Sequence, residues 1–272
     1  MTTPEALSPV SRTALSVALV RAYESSRPDP LFADPYAAAF AAAAGVPLPA
    51  AGPDSGLARA LVAQGILRTR FYDDRLLAAG AGQVVLLAAG LDTRAHRLDW
   101  PAGTRVFELD LGPVLAFKER VLDALGAQPR ATRTVLPADL LEPHWPARLV
   151  DAGFDPGRPS AWLAEGLLVY LTPGQAAALL TAVAALAAPG SRLLLEQGRD
   201  VSATPHDPAL AHLTGLWRGG LGPGTRDWLD GNGWTTGLTS LERLAERHAR
   251  PLPGPSAAGF VEAVRRPRGE GS

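Results

Sequence analysis

The chain has 272 residues, 47% of them hydrophobic and 19% charged, which is enough to bury one sizeable core and too apolar for a disordered tail. Its 26 basic residues against 27 acidic ones leave a net charge of −1, a balance that does not attract phosphate backbones or anionic lipid. There is no cysteine, so disulfides, zinc–thiolate sites, iron–sulfur clusters and thiol nucleophiles are excluded, and a reducing cytoplasm is the expected compartment.

Lys118 is the only lysine; the arginine-dominated positive charge reads as coding bias rather than a basic patch. Arg12 and Arg21 bracket a short apolar run, which gives no signal-peptide pattern. The most apolar segments, 37–51 and 176–188, are broken or closed by prolines and fall short of the roughly 20 residues a membrane span needs. A soluble protein is expected.

In chain order, residues 1–80 read as a helical cap. Leu57, Leu61, Val62, Ile66, Leu67, Phe71 and Leu76 recur at three- and four-residue steps, the period of a helix with one buried face. Between Gly82 and Gly90 the period changes, and the apolar run 84–88 reads as a strand covered on both faces. Residues 105–109 form a second strand and 113–125 a helix that opens on Pro113 and stops at Gly126. Strands then follow at 134–136, 161–164 and 192–196, with a helix at 173–188 before the last of them. Alternation of strand and helix predicts a doubly wound α/β domain over 81–272 with a mostly parallel sheet, because parallel neighbours need a crossover. Residues 198–224, rich in Gly, Pro, Thr and His, read as a lid. A helix at 225–229, a strand at 234–238, a helix at 240–248 and a last strand at 260–264 bring the sheet to seven strands.

In such a sheet ligands bind beyond the carboxyl ends of the strands, where strand order reverses. The first strand runs into Ala88-Ala89-Gly90-Leu91-Asp92, a turn in which Gly90 allows close approach of a ligand. A dinucleotide needs G-x-G-x-x-G, and Asp92 would repel its pyrophosphate. S-adenosylmethionine carries a carboxylate, an ammonium and a sulfonium in place of phosphate, and suits this turn better; a plain turn with Asp92 as helix cap is the alternative. Glu108 and Asp110 lie 18 and 20 residues beyond Gly90, where nucleoside-binding folds hold ribose hydroxyls on a carboxylate. Asp139 and Leu140 could bracket an adenine. Glu165, in an apolar stretch, needs a cationic partner, a ligand ammonium or an arginine. Arg68 and Arg70 precede the first strand and could clamp a carboxylate. None of these residues forms a metal-ligand set, so no metal is expected.

Six segments together, RPDPLFADPYA (27–37), RTRFYDD (68–74), QVVLLAAGLDTRAHRLDWP (83–101), FELDLGPVLAFK (107–118), ADLLEPHWP (138–146) and WLAEGLLVYL (162–171), resemble the leucine carboxyl methyltransferase-like family of class I S-adenosylmethionine-dependent methyltransferases. The resemblance implies a Rossmann-like seven-stranded fold with S-adenosylmethionine as cofactor. It also implies that Arg68 or Arg70 contacts the cofactor carboxylate, Gly90 lines the methionine, Glu108 or Asp110 holds the ribose, Asp139 and Leu140 the adenine, and Glu165 the amino group. One departure is that Ala88 or Ala89 stands where relatives carry glycine or serine.

Methyl transfer is an in-line displacement in which the protein contributes chiefly alignment. A carboxylate acceptor is ionised at neutral pH and needs no base; a phenol would gain from one, and His206 or His212 in the lid could serve. Tyr170, Trp217, Trp228 and Trp234 either line an aromatic acceptor pocket or belong to the core. The expectation is O-methylation of a small molecule from secondary metabolism, such as an aromatic polyketide. Methylation of a protein carboxyl group, a non-catalytic cofactor-binding regulator and an NAD-dependent reductase are the alternatives. Oligomeric state is left open.

Overall fold

The computed structural model describes residues 9–48, 55–204 and 207–267. Helices α1 (Pro9–Ser25), α2 (Ala37–Ala43) and α3 (Gly56–Ala78) come first. Ser55 caps α3 by accepting from the Ala58 amide, which satisfies one of the amides that a helix start leaves without partners. The sheet then alternates with helices: β1 (Gln83–Leu87), α4 (Arg94–Arg97), β2 (Arg105–Asp110), α5 (Gly112–Ala124), β3 (Thr132–Pro137), α6 (Trp145–Asp151), β4 (Ala161–Ala164), α7 (Pro173–Leu186) and β5 (Arg192–Glu196). After α8 (Ala211–Thr214) come α9 (Thr225–Gly231), β6 (Trp234–Ser240), α10 (Leu241–Arg247) and β7 (Gly259–Arg265).

The seven strands lie in the order β3-β2-β1-β4-β5-β7-β6. All neighbours are parallel except β7, which runs antiparallel to both β5 and β6. The mostly parallel, doubly wound sheet is therefore as expected. Strand order reverses between β1 and β4, so the crevice for a ligand opens beyond their carboxyl ends.

Period-2 alternation divides the core between the two faces. Val85, Leu87, Phe107, Leu109 and Trp162 face α6 and α7 in one buried cluster. Val84, Leu86, Val106 and Leu163 face α3 and α10 in another. A third cluster joins Leu15 and Ala18 of α1 and Phe40 of α2 to Leu91 and to Phe117, Val121 and Leu122 of α5, and so fixes the helical cap over the β1 turn. Helix α7 starts in a reciprocal cap between Thr172 and Gln175 with Pro173 inside the first turn. No helix among the described residues is long and apolar enough to cross a membrane, and no group of three or more His, Asp or Glu among them could hold a metal ion.

Glu108 and Lys118 are both fully buried, with Nζ of Lys118 2.6 Å from the Glu108 carboxylate. Arg133 reaches the same Glu108 oxygen at 2.7 Å and Glu119 at 2.6 Å. A buried charge survives only with partners such as these.

The described residues of 198–224 form short helical turns at 201–203, 208–210, 211–214 and 222–224. The ends of the segment meet: Gly198 leaves no room for a Cβ against the Gly222 carbonyl, and Gln197 Nε2 donates to Pro223 O at 3.0 Å. The amides of Arg218 and Gly219 donate to Val169 O at 2.7 and 3.0 Å, and that of Gly220 to Leu171 O at 2.9 Å. The segment is thereby fastened to the turn 168–170 that follows β4.

Candidate functional site

A cleft of about 380 Å³ opens at the carboxyl ends of β1, β2 and β4. Its floor is the turn 88–92, one wall is α1 through Thr13, Ala14 and Val17, and the other is the stretch from Glu165 to Leu171. Arg68, Gly90, Asp92, Asp110, Asp139, Leu140 and Glu165 all line it. The structure thus gathers seven of the sequence-derived residues in one crevice.

The turn itself is bent by two residues in the left-handed region, Ala88 at φ 50° and Gly90 at φ 50°. A side chain at Gly90 would also crowd Ala14 of α1, its Cβ falling 3.2 Å from that methyl group. Asp110, at the end of β2, accepts from the Gly90 amide and from its neighbour's, Leu111, each at 2.6 Å. Burial pushes its carboxyl above the ordinary aspartate range, and the two amide bonds offset only part of that.

Beneath the cleft runs a chain of buried charges. Glu165 sits between Arg68, whose Nε is 2.9 Å away, and Arg94, whose Nη1 is 2.8 Å away. Arg68 also contacts Glu196 at 2.9 Å, and Glu196 accepts from the Gly166 amide at 2.8 Å. Burial alone would raise both carboxyls; two arginines hold Glu165 below its ordinary value, whereas Glu196 stays above because Arg68 only partly offsets the cost. Asp92 accepts from the Arg94 amide at 2.7 Å and pairs with the Arg94 guanidinium. Although burial acts against it, that cation holds the Asp92 carboxyl down at about 2. Arg94 is anchored in turn by Asp73 at 2.7 Å, which also pairs with Arg97 at 2.6 Å.

Two residues in this network were not singled out from the sequence. Arg21 of α1 donates to Leu91 O at 2.6 Å and to Asp34 at 2.7 Å, so the cap grips the β1 turn directly. Arg94 carries the Glu165–Asp92–Asp73 links, and its place two residues after Asp92 is the signal that could have marked it.

Two candidates fall elsewhere. Arg70 points away, bonding Asp74 at 3.0 Å and Leu31 O at 2.8 Å on a half-exposed face, so the arginine on the cleft is Arg68. Glu108 lies inside β2 under α5, committed to Lys118 and Arg133; of the two acids, Asp110 reaches the crevice. Tyr170 lines the cleft. Trp234 is fully buried in the core and the partly buried Trp228 packs against it; neither lines the cleft. His206 lies outside the described residues; His212 is on α8, and its side chain is likewise outside them.

The sequence profile of the leucine carboxyl methyltransferase family matches residues 14–184, which includes the turn, both acidic strand ends and the β4 motif. The chain belongs to the leucine carboxyl methyltransferase family. It is therefore a methyltransferase. Among its relatives is a protein of Parafrankia sp. (strain EAN1pec), 49% identical over 94% of this chain and 87% of its own, whose name assigns it, provisionally, as an S-adenosyl-L-methionine-dependent methyltransferase. One from Mycolicibacterium paratuberculosis with the same description is 41% identical over 90% of this chain and 89% of its own. Among solved structures, one from Thermobifida fusca provisionally described as a methyltransferase aligns with a TM-score of 0.59 at 20% identity, covering 92% of this chain and 94% of that one. The magnesium protoporphyrin IX methyltransferase of Synechocystis, solved with S-adenosylhomocysteine, aligns at 0.50 with 18% identity over 92% and 99% of the two chains. These last two likenesses concern the fold of this family member.

Proposed function

We propose that this member of the family is an S-adenosylmethionine-dependent O-methyltransferase acting on a small molecule that presents a carboxylate or a phenol. The observation that carries the donor is the placement of Asp110 and Glu165 on opposite sides of Gly90 in one cleft. The residues fit the cofactor: Glu165 lines the cleft, and its carboxylate, held below its ordinary value by Arg94 and Arg68 against the cost of burial, suits an ammonium. Asp110 suits a ribose diol, since an ionised carboxylate takes two hydroxyl donors. Asp139, Leu140 and the exposed Leu141 suit an adenine, and Arg68 suits a carboxylate.

When bound, the cofactor supplies a methyl group on a cationic sulfur, which an oxygen nucleophile takes by in-line displacement, leaving the bonding electron pair on sulfur. The chain's own work is alignment. Arg21 and Ala14 of α1 hold the β1 turn, Glu165 is fixed by Arg68 and Arg94, and the wall 165–171 limits what reaches the cleft. A carboxylate acceptor requires no proton transfer; a phenol, with an ordinary pKa near 10, would release its proton to a base or to solvent. The small-molecule reading is supported by the two walls, α1 and 165–171, which leave a concave and largely apolar cleft rather than a flat face.

The test uses the purified chain, labelled S-adenosylmethionine and an extract of host metabolites. Label in a small organic molecule supports the proposal. Label found only on a protein C-terminus replaces it with protein carboxyl methylation, and calorimetry without binding of either S-adenosylmethionine or S-adenosylhomocysteine at millimolar concentration removes the donor assignment.

A further inference from the structure

The buried layer under the cleft holds more acids than cations. Asp73, Asp92, Glu165 and Glu196 are joined to Arg68, Arg94 and Arg97 in one continuous set of ion pairs. Matched one to one, Arg97 answers Asp73, Arg94 answers Asp92 and Arg68 answers Glu165. Glu196 is left over: it shares Arg68 and has no cation of its own among the described residues. Arg21, the other arginine on the cleft, is paired with Asp34. The layer therefore carries one negative charge more than it balances. None of its seven side chains is more than 19% exposed, so water and salt screen that excess little.

Glu196 reaches the cleft through its neighbours without being part of the wall. It does not line the cavity, yet it accepts from Arg68 at 2.9 Å and from the Gly166 amide at 2.8 Å, and both of those residues do line it. Burial, with the charge of Glu165 added to it, lifts the Glu196 carboxyl above the ordinary glutamate range against the pull of Arg68, as expected of an acid short of a cation. The two ligands that alternate in the cleft differ in charge. S-adenosylmethionine carries a carboxylate, an ammonium and a sulfonium and is a net cation; loss of its methyl group removes the sulfonium charge and leaves S-adenosylhomocysteine neutral. An unbalanced buried anion favours the first and acts little on the second.

We propose that Glu196 supplies the excess negative charge that tilts this cleft toward the cationic donor and away from the neutral product of its own reaction. This rests on the donor assignment above and deepens it. Glu196 is a specificity residue: it acts by its charge, through Arg68 and the 165–171 wall, and takes no proton.

Calorimetry at pH 7 on the full chain, with S-adenosylmethionine and S-adenosylhomocysteine titrated separately and no acceptor present, reads the ratio of the two affinities. Glu196→Gln keeps an oxygen for the Gly166 amide and removes the charge. The ratio should shift toward the product by about threefold or more, the effect of a unit charge over about 10 Å at an effective dielectric of about 40. Glu196→Asp, which keeps the charge, should hold the ratio near that of the wild type. Arg97→Gln takes a cation from the same layer at a residue that does not line the cleft, and should shift the ratio the opposite way, toward the donor. Opposite signs separate charge from packing damage, which lowers both affinities together. A ratio unmoved by Glu196→Gln overturns the assignment, as do shifts of the same sign in Glu196→Gln and Arg97→Gln, or a Glu196→Asp variant that behaves as Glu196→Gln does. If Glu196→Gln does not fold, Arg97→Gln decides alone, and an unmoved ratio there overturns the assignment. A wild-type chain that binds neither ligand is a different result: it removes the donor assignment, and this inference with it.

Discussion

The ion pair between Asp92 and Arg94 offers a test in which size, direction and pH window all follow from one geometry. Arg94 holds the Asp92 carboxyl at about 2 against an ordinary 3.8, and the Asp92 side chain is only 12% exposed, so water screens the pair little. At about 1.4 kcal/mol for each tenfold change in acidity, the ionised form contributes about 2 kcal/mol to folding at neutral pH. A carboxyl whose folded value is depressed stabilises above its unfolded value and loses that contribution as pH falls toward the folded one. The stability gap between wild type and Asp92→Asn should therefore be full, about 2 kcal/mol, from pH 7 down to about 5, and about half gone near pH 3. Urea unfolding at a series of pH values measures it. Asp73 and Glu165 still flank Arg94 in the variant, so the cation is not stranded. A gap that stays constant from pH 7 to 3, or one below about 0.5 kcal/mol throughout, would refute the reasoning.

Three further outcomes are expected. Lys118→Met, which leaves Glu108 with Arg133 alone, should cost about 3 kcal/mol in thermal or urea unfolding, and adding Glu108→Leu should recover part of that loss. Asp110→Asn should weaken S-adenosylhomocysteine binding by about tenfold or more in calorimetry. Because burial holds the Asp110 carboxyl above its ordinary 3.8, the wild-type affinity should begin to fall on acidification at a higher pH than an exposed aspartate would give, and should be insensitive to pH from there up to 7. Ala88→Gly should be neutral or stabilising by up to about 1 kcal/mol in a melting assay, because the φ of 50° at this alanine is costly for a residue with a Cβ; a clear loss would mean the turn is not bent as described.

The central strands were legible because they are short apolar runs set off by glycines or prolines, as at 84–88 and 161–164, and the alternation of period announced the crossovers. The reversed direction of β7 was not, since Phe260–Val264 reads the same in either orientation and its partner β5 is more than sixty residues away. In the site, Gly90 and an acid about twenty residues on were legible by spacing. Choosing between Glu108 and Asp110 was not: both project to the same side of β2, and only the end of the strand, where the sheet stops, places one of them in the crevice. Arg68 and Arg70 pose the helical version of that problem. Two residues turn about 200° on a helix, so one faces the cleft and the other Leu31, but the sequence alone does not say which side of α3 meets the sheet ends. The Arg94 network was hidden because its partners are contributed by α3, the β1 turn and β4, which only the fold brings together.

The burial of Lys118 against Glu108 has a practical side. Acylating reagents, amine-directed cross-linkers and enzymes that acetylate or ubiquitinate lysine find no side-chain target on the folded surface. Covalent capture at this single position would therefore count unfolding events, making the chain a built-in reporter of its own opening rate.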